Sequence, residues 1–169
     1  MSRLGIGIVG CGVIADIYCQ NAPRFADIEI RSCADLRAEA ATALAEKYGF
    51  AAMTVSDLLA SPEIDIVLNL TVPAAHAEVS MAALNAGKHV YSEKPLATST
   101  AAARELVATA ERTGLRLAAA PATVLGAAGR EARRLIDSGR AGRITAGTAF
   151  VLSRGMEHWH PSPAWFFQP

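Results

Sequence analysis

The sequence predicts an α/β fold, a doubly wound parallel sheet covered by helices on both faces, with the start of a second, α+β unit after it. Three observations lead there. Short apolar runs alternate with helix-length segments from Arg3 to Ala120, the rhythm of parallel strands joined by helical crossovers. A glycine-rich turn joins the first run to the first helix. Glycines at 49, 87 and 114 stand where helices should stop, since glycine readily closes a helix in the left-handed conformation. Right-handed crossovers then wind the chain on both sides of one sheet.

Taken in order, Arg3–Val9 is an apolar run ending in glycines and is expected to be a buried strand. Val13–Phe25 has helical spacing at Val13, Ile17 and Ala22, with Pro23 marking its end. Ile28–Ala34 is a second strand, and Arg37–Tyr48 an alanine-rich helix stopped by Gly49. A weak strand lies near Ala51–Val55. Ser56 is expected to cap a short helix over Asp57–Ala60. Asp65–Leu70 is the clearest buried strand. A helix over Ala74–Ala86, a strand over Lys88–Ser92, a helix over Ser99–Thr113 and a strand over Leu115–Ala120 complete the pattern. After Pro121 the rhythm changes. Ala127–Asp137 is expected to be a helix, and the alternation at Ile144, Ala146, Thr148, Phe150 and Leu152 predicts a long strand over Arg143–Ser153. The domains are therefore read as 1–121 and 122–169.

Composition narrows the functional classes. Apolar residues make up 51% and charged residues 19%, enough to build a buried core. Sixteen basic residues balance sixteen acidic ones, so no electrostatic footprint for nucleic acid or an anionic membrane is present. The most apolar stretch, Ile64 to Val72, is too short to span a bilayer. Cys11, Cys19 and Cys33 have no metal-ligand spacing and are expected to be buried reduced thiols in a cytoplasmic protein without a leader segment. His158-Trp159-His160 lacks a nearby third ligand, so no metal site is expected.

The strongest chemical signal is Gly10-Cys11-Gly12-Val13-Ile14-Ala15, which matches G-x-G-x-x-A between a strand and a helix. Gly10 permits a tight turn, Gly12 lets backbone approach a pyrophosphate, and Ala15 lets the helix pack close. The unpaired N–H groups of the following helix, at Val13 and Ile14, then favour an anion. This is the fingerprint of a dinucleotide-binding Rossmann fold; the alternative is a plain glycine turn. Asp35, at the end of the second strand, stands where such a fold uses a carboxylate for the ribose hydroxyls. It would repel a 2′-phosphate by roughly 4 kcal/mol at about 4 Å and an effective dielectric of ~20, favouring NAD over NADP. Arg37 works in the opposite direction, so NADP stays open. Asp35 as a solvated turn or cap residue is the other reading.

Glu93-Lys94-Pro95 ends a strand, on the rim where open α/β sheets bind ligands. A lysine there can bond the nicotinamide ribose and stabilise an alkoxide or pass a proton, although chemistry alone also permits a surface lysine. Thr71, Val72 and Pro73, with His76, follow another strand and face the same rim. They are candidates to line the nicotinamide pocket, or else a proline turn opening a helix.

Together, the glycine loop, Asp35, the Thr71–His76 segment and Ala86–Leu96 (Ala-Gly-Lys-His-Val-Tyr-Ser-Glu-Lys-Pro-Leu) resemble the Gfo/Idh/MocA oxidoreductases, which include glucose–fructose oxidoreductase and inositol dehydrogenases. Arg154–Pro163 and Trp165–Pro169 resemble the approach to that family's active site in its second domain. Ala122 departs from the aspartate expected there. The resemblance implies hydride transfer between a nicotinamide and a secondary alcohol of a sugar, cyclitol or related compound. In it Lys94 is the active-site lysine, and Gly10, Gly12, Val13, Ile14, Ala15, Asp35, Arg37, Thr71, Pro73, His76, Glu93 and Lys94 form the cofactor site. It also implies a homo-oligomer built through the substrate domain in a full-length parent. Family members run to about twice this length, so residues 122–169 are expected to be the start of a substrate domain, with further catalytic groups beyond Pro169 and no turnover by these residues alone. A dinucleotide-binding module without turnover is the competing reading. An unpaired edge on Arg143–Ser153 would favour association or aggregation.

Overall fold

A computed structural model describes residues 3–120, 122–152, 154, 155 and 157. The chain divides into two compact units, Met1–Thr123 and Val124–Pro169.

The first unit is a six-stranded sheet: β1 (Leu4–Val9), β2 (Ile28–Ala34), β3 (Ala51–Ala52), β4 (Ile66–Asn69), β5 (His89–Ser92) and β6 (Leu117–Ala119). All neighbours pair in parallel, in the order β3-β2-β1-β4-β5-β6. This is the Rossmann order, and it reverses between β1 and β4, where ligands of such sheets bind. Helices α1 (Val13–Asn21), α2 (Ala38–Tyr48), α3 (Val55–Ala60), α4 (His76–Asn85) and α5 (Thr100–Thr113) connect the strands.

Strand periodicity divides the core into two halves. Ile6, Ile8, Cys33 and Leu68 pack on one face with Ala15 and Cys19 of α1 and Ala41, Leu44 and Ala45 of α2. Their chain neighbours Val9, Ala34 and Val67 point to the other face, against Leu58 of α3, Ala83 and Leu84 of α4, and Leu106 and Ala110 of α5. Successive strand side chains alternate faces, so burial on both sides demands the nearly continuous apolar runs seen in β1 and β4. A fully buried leucine or isoleucine contributes roughly 1.5–3 kcal/mol in such a core.

Register sets the level of every loop on the ligand-binding rim. Val9 pairs with Ala34 on one side and Asn69 on the other, Asn69 pairs with Ser92, and Ser92 with Ala119. The last rungs of five strands therefore form one row. The residues after them (Gly10, Asp35, Leu70 and Glu93) emerge side by side.

Several boundaries differ from the sequence expectations. The helix expected over Val13–Phe25 ends at Asn21 and passes into a 3-10 turn over Ala22–Arg24, because Pro23 has no N–H to continue the α ladder. Pro73 likewise opens a 3-10 turn over Pro73–Ala75, and the α-helix begins at His76. Thr54, not Ser56, caps α3: its hydroxyl accepts the Asp57 N–H at 3.1 Å, so the helix starts at Val55 and cuts β3 to two residues. Ser99 caps α5 in the same way, accepting the Ala102 N–H at 3.2 Å.

A 3-10 turn over Ala122–Leu125 spans the boundary between the units, and the second unit holds α6 (Ala127–Asp137), as expected. Glu131 and Arg134, and Arg133 and Asp137, pair along its surface. The long strand expected over Arg143–Ser153 is a correction. Residues 144–152 have no strand pairing, because alternation alone does not make a strand without a neighbour to accept its ladder hydrogen bonds. Most of the aromatic tail, including His158-Trp159-His160 and Trp165–Pro169, lies outside the described residues. Among the described residues no helix is long and apolar enough to cross a membrane.

Candidate active site

The site is built at the end of β1. Gly10 has φ +100°, a left-handed conformation that side chains resist. A Cβ on it would also lie 2.6–2.7 Å from backbone atoms of Leu70 and Thr71. Gly10 is thus required by the fold: it lets β1 turn against the loop after β4. Gly12 differs. It caps α1 in extended conformation, and a Cβ there would meet nothing within 4 Å. The loop leaves open space above Gly12, at the positive end of a nine-residue helix whose first N–H groups need an acceptor. Val13 and Ile14 are exposed beside it, while Ala15 is fully buried against the sheet. An anionic pyrophosphate fits this cradle.

Asp35 is drawn to the same loop. Its Oδ2 accepts the Cys11 N–H at 2.8 Å and its Oδ1 the Arg37 N–H at 2.9 Å. The Arg37 guanidinium stands 3.8 Å from Oδ1 and is two-thirds exposed. The carboxylate therefore sits at the glycine loop with an arginine alongside, one group that repels a 2′-phosphate and one that attracts it. Cys11 is half-buried rather than buried as the sequence suggested, with its thiol 3.5 Å from the Ala34 carbonyl; Cys19 and Cys33 are buried. The Cys11 thiol is pushed up by its hydrogen bond with Cys33, by burial and by the Asp35 charge, so it stays protonated in the glycine loop.

On the other side of β4 lies the Glu93–Pro95 turn. Tyr18 of α1 donates to Glu93 Oε1 at 2.8 Å, and Glu93 Oε2 accepts the Lys94 N–H at 3.0 Å. Burial and the adjoining Glu93 carboxylate push the Tyr18 phenol up, which keeps it a donor. Glu93 thus ties α1 to the turn and holds the lysine backbone. Lys94 itself is exposed, and it forms no ion pair among the described residues. The Lys94–Pro95 peptide bond is cis.

Between the two loops a polar network underlies the rim. Asn69, fully buried at the last rung of β4, donates to the His76 carbonyl and to Ser80 Oγ, both at 3.0 Å. Its Oδ1 accepts the Thr71 hydroxyl at 2.7 Å. His76 is 1% exposed, with Nδ1 2.6 Å from the Pro95 carbonyl oxygen and Nε2 2.9 Å from that of Thr71. Thr71 and Pro73 are partly exposed at the rim, whereas the imidazole lies beneath it.

All twelve residues singled out from the sequence thus belong to the four segments that follow β1, β2, β4 and β5, at one end of the sheet. Asn69, Ser80 and Tyr18 were not singled out. The signal for Asn69 was a lone amide inside the most apolar strand, where an unpaired polar group is costly. Tyr18 left no comparable mark, because only the tertiary fold brings α1 to β5. Among the described residues no cluster of metal-ligating side chains occurs.

Comparison with known proteins agrees with this geometry. The Gfo/Idh/MocA family model, an oxidoreductase family with an NAD-binding Rossmann fold, matches residues 4–120. The chain is 35% identical to the 1,5-anhydro-D-fructose reductase of Ensifer adhaerens over 85% of its own length and 44% of that protein. It is 32% identical to the inositol 2-dehydrogenase of Salmonella typhimurium, over 68% of this chain and 35% of that one. The structure of the WlbA dehydrogenase from Bordetella pertussis, in complex with NADH and UDP-GlcNAcA, superposes with a TM-score of 0.79 at 27% identity, covering 84% of this chain and 42% of that one. The chain spans less than half the length of each of these relatives.

Proposed function

The chain belongs to the Gfo/Idh/MocA oxidoreductases, and from that premise we propose that it binds NAD on its glycine loop and serves hydride transfer at a secondary alcohol of a sugar, cyclitol or related compound. The observation that carries the reading is the open space over Gly12 at the start of α1, with Asp35 and the Lys94 turn on the same rim. When bound, the nicotinamide supplies the hydride acceptor or donor. The protein's part is binding and proton handling. The N–H groups opening α1 hold the pyrophosphate. Asp35 takes the adenosine ribose hydroxyls, and its charge favours NAD, while Arg37 leaves some room for NADP.

Lys94, exposed on the rim and held through its backbone by Glu93, bonds the substrate hydroxyl and stabilises the alkoxide or transfers its proton. Thr71 and Pro73 line the nicotinamide end. Residues 122–169 are taken as the start of a substrate domain, which in a full-length parent supplies further catalytic groups and a homo-oligomer contact. A cytoplasmic location is supported by three unbridged cysteines.

The test is an assay following nicotinamide absorbance over a panel of sugars and cyclitols. NAD-linked oxidation or reduction of a member of the panel, by this chain or a longer parent, supports the reading. A parent that binds NAD yet acts only on substrates without a secondary alcohol or the corresponding ketone contradicts it.

A further inference from the structure

We propose that His76 is a positioning residue for the nicotinamide end of the site, holding the turn that carries Lys94 at a fixed spacing from Thr71. This rests on the reading of the rim as a dinucleotide site. The imidazole is 1% exposed and bridges two loops, its Nδ1 2.6 Å from the Pro95 carbonyl oxygen and its Nε2 2.9 Å from the Thr71 carbonyl oxygen. Both partners are carbonyl oxygens, and each stands within hydrogen-bond distance of one ring nitrogen.

The ring is buried although both carbonyls lie in partly exposed loops, so removing it takes from each loop the partner that fixes its position. Each carbonyl belongs to a loop the site uses: Pro95 follows Lys94 directly, and Thr71 stands at the end of β4. The Thr71 hydroxyl is fixed from below by Asn69, whose amide also grips the His76 carbonyl. Side chain and backbone of His76 thus join β4, the start of α4 and the Lys94 turn in one network. Its two ring nitrogens are occupied by backbone, so it acts on the cofactor through these loops.

The experiment compares the wild-type chain with His76→Leu, which keeps a side chain of similar size and removes both ring nitrogens, and with His76→Gln, which keeps an N–H donor. ADP-ribose affinity reports the adenosine half alone. Fluorescence of bound NADH reports the nicotinamide environment, and hydrogen exchange reports the Glu93–Leu96 turn. The expected result is ADP-ribose affinity within about twofold of wild type in both variants. In His76→Leu the NADH fluorescence enhancement falls by half or more and exchange in the turn rises by about tenfold; His76→Gln recovers part of both. Unchanged fluorescence and exchange in a folded His76→Leu chain overturn the proposal alone. A wild-type chain that binds neither ADP-ribose nor NADH overturns the dinucleotide reading and the proposal with it. Loss of folding in both variants makes His76 a structural residue and also overturns it.

Discussion

The Asp35 carboxylate accepts the backbone N–H of Cys11 at 2.8 Å, across the boundary between β2 and the glycine loop. One oxygen thereby fixes the glycine loop, while the other faces the Arg37 N–H and guanidinium. The residue proposed to select the cofactor thus also shapes the glycine loop.

Removing that charge should change selectivity. Wild-type chain is expected to bind NAD more tightly than NADP, and Asp35→Ser should narrow or invert the difference. Comparative calorimetric titration checks it. Tighter NADP binding by the wild-type chain would mean that Arg37 outweighs Asp35.

Gly10 and Gly12 should fail in different ways. Gly10→Ala forces a side chain into a left-handed conformation and against the Leu70–Thr71 backbone. A loss of roughly 2 kcal/mol or more is expected from strain and overpacking, read as a lower denaturant midpoint. An unchanged midpoint would contradict the close packing of β1 on the loop after β4.

Lys94→Ala should spare stability, because the exposed side chain forms no ion pair among the described residues. In a full-length parent its turnover should fall by about 10²–10⁴-fold, the usual range for a lost general acid or base. Near-normal turnover would return Lys94 to an ordinary surface lysine.

Burial, with the Asp16 charge second, pushes the Cys19 thiol up to about 11. Iodoacetamide at pH 8 should therefore modify it about a hundredfold more slowly than an ordinary cysteine, because the thiolate is the nucleophile; peptide mass mapping measures this. The raised value also favours the folded state below the unfolded thiol's range near 9.0, a contribution lost as pH climbs toward 11. Labelling at the rate of denatured chain would show that Cys19 is accessible.

The sheet was legible in the sequence because strands buried on both faces leave nearly continuous apolar runs, as in β1 and β4. The glycine loop was legible because its residues are contiguous. Helix starts were less so. Thr54 and Ser56 are both capping residues two positions apart, and only the Asp57 N–H decides between them. The Arg143–Ser153 alternation misled because a strand is a property of a pair. The support beneath the rim was hidden for a similar reason: Tyr18 meets Glu93, and His76 meets Pro95, only across connections of the folded sheet.

The central claim is that the space over Gly12 is a pyrophosphate cradle. A Cβ there meets nothing within 4 Å, so Gly12→Val should fold as wild type while filling the cradle. Calorimetric titration with NAD of the two chains in parallel tests this most directly. Binding by wild type and a loss of roughly a hundredfold in Gly12→Val, at unchanged melting temperature, is the predicted result. Equal affinity in the two chains would contradict it.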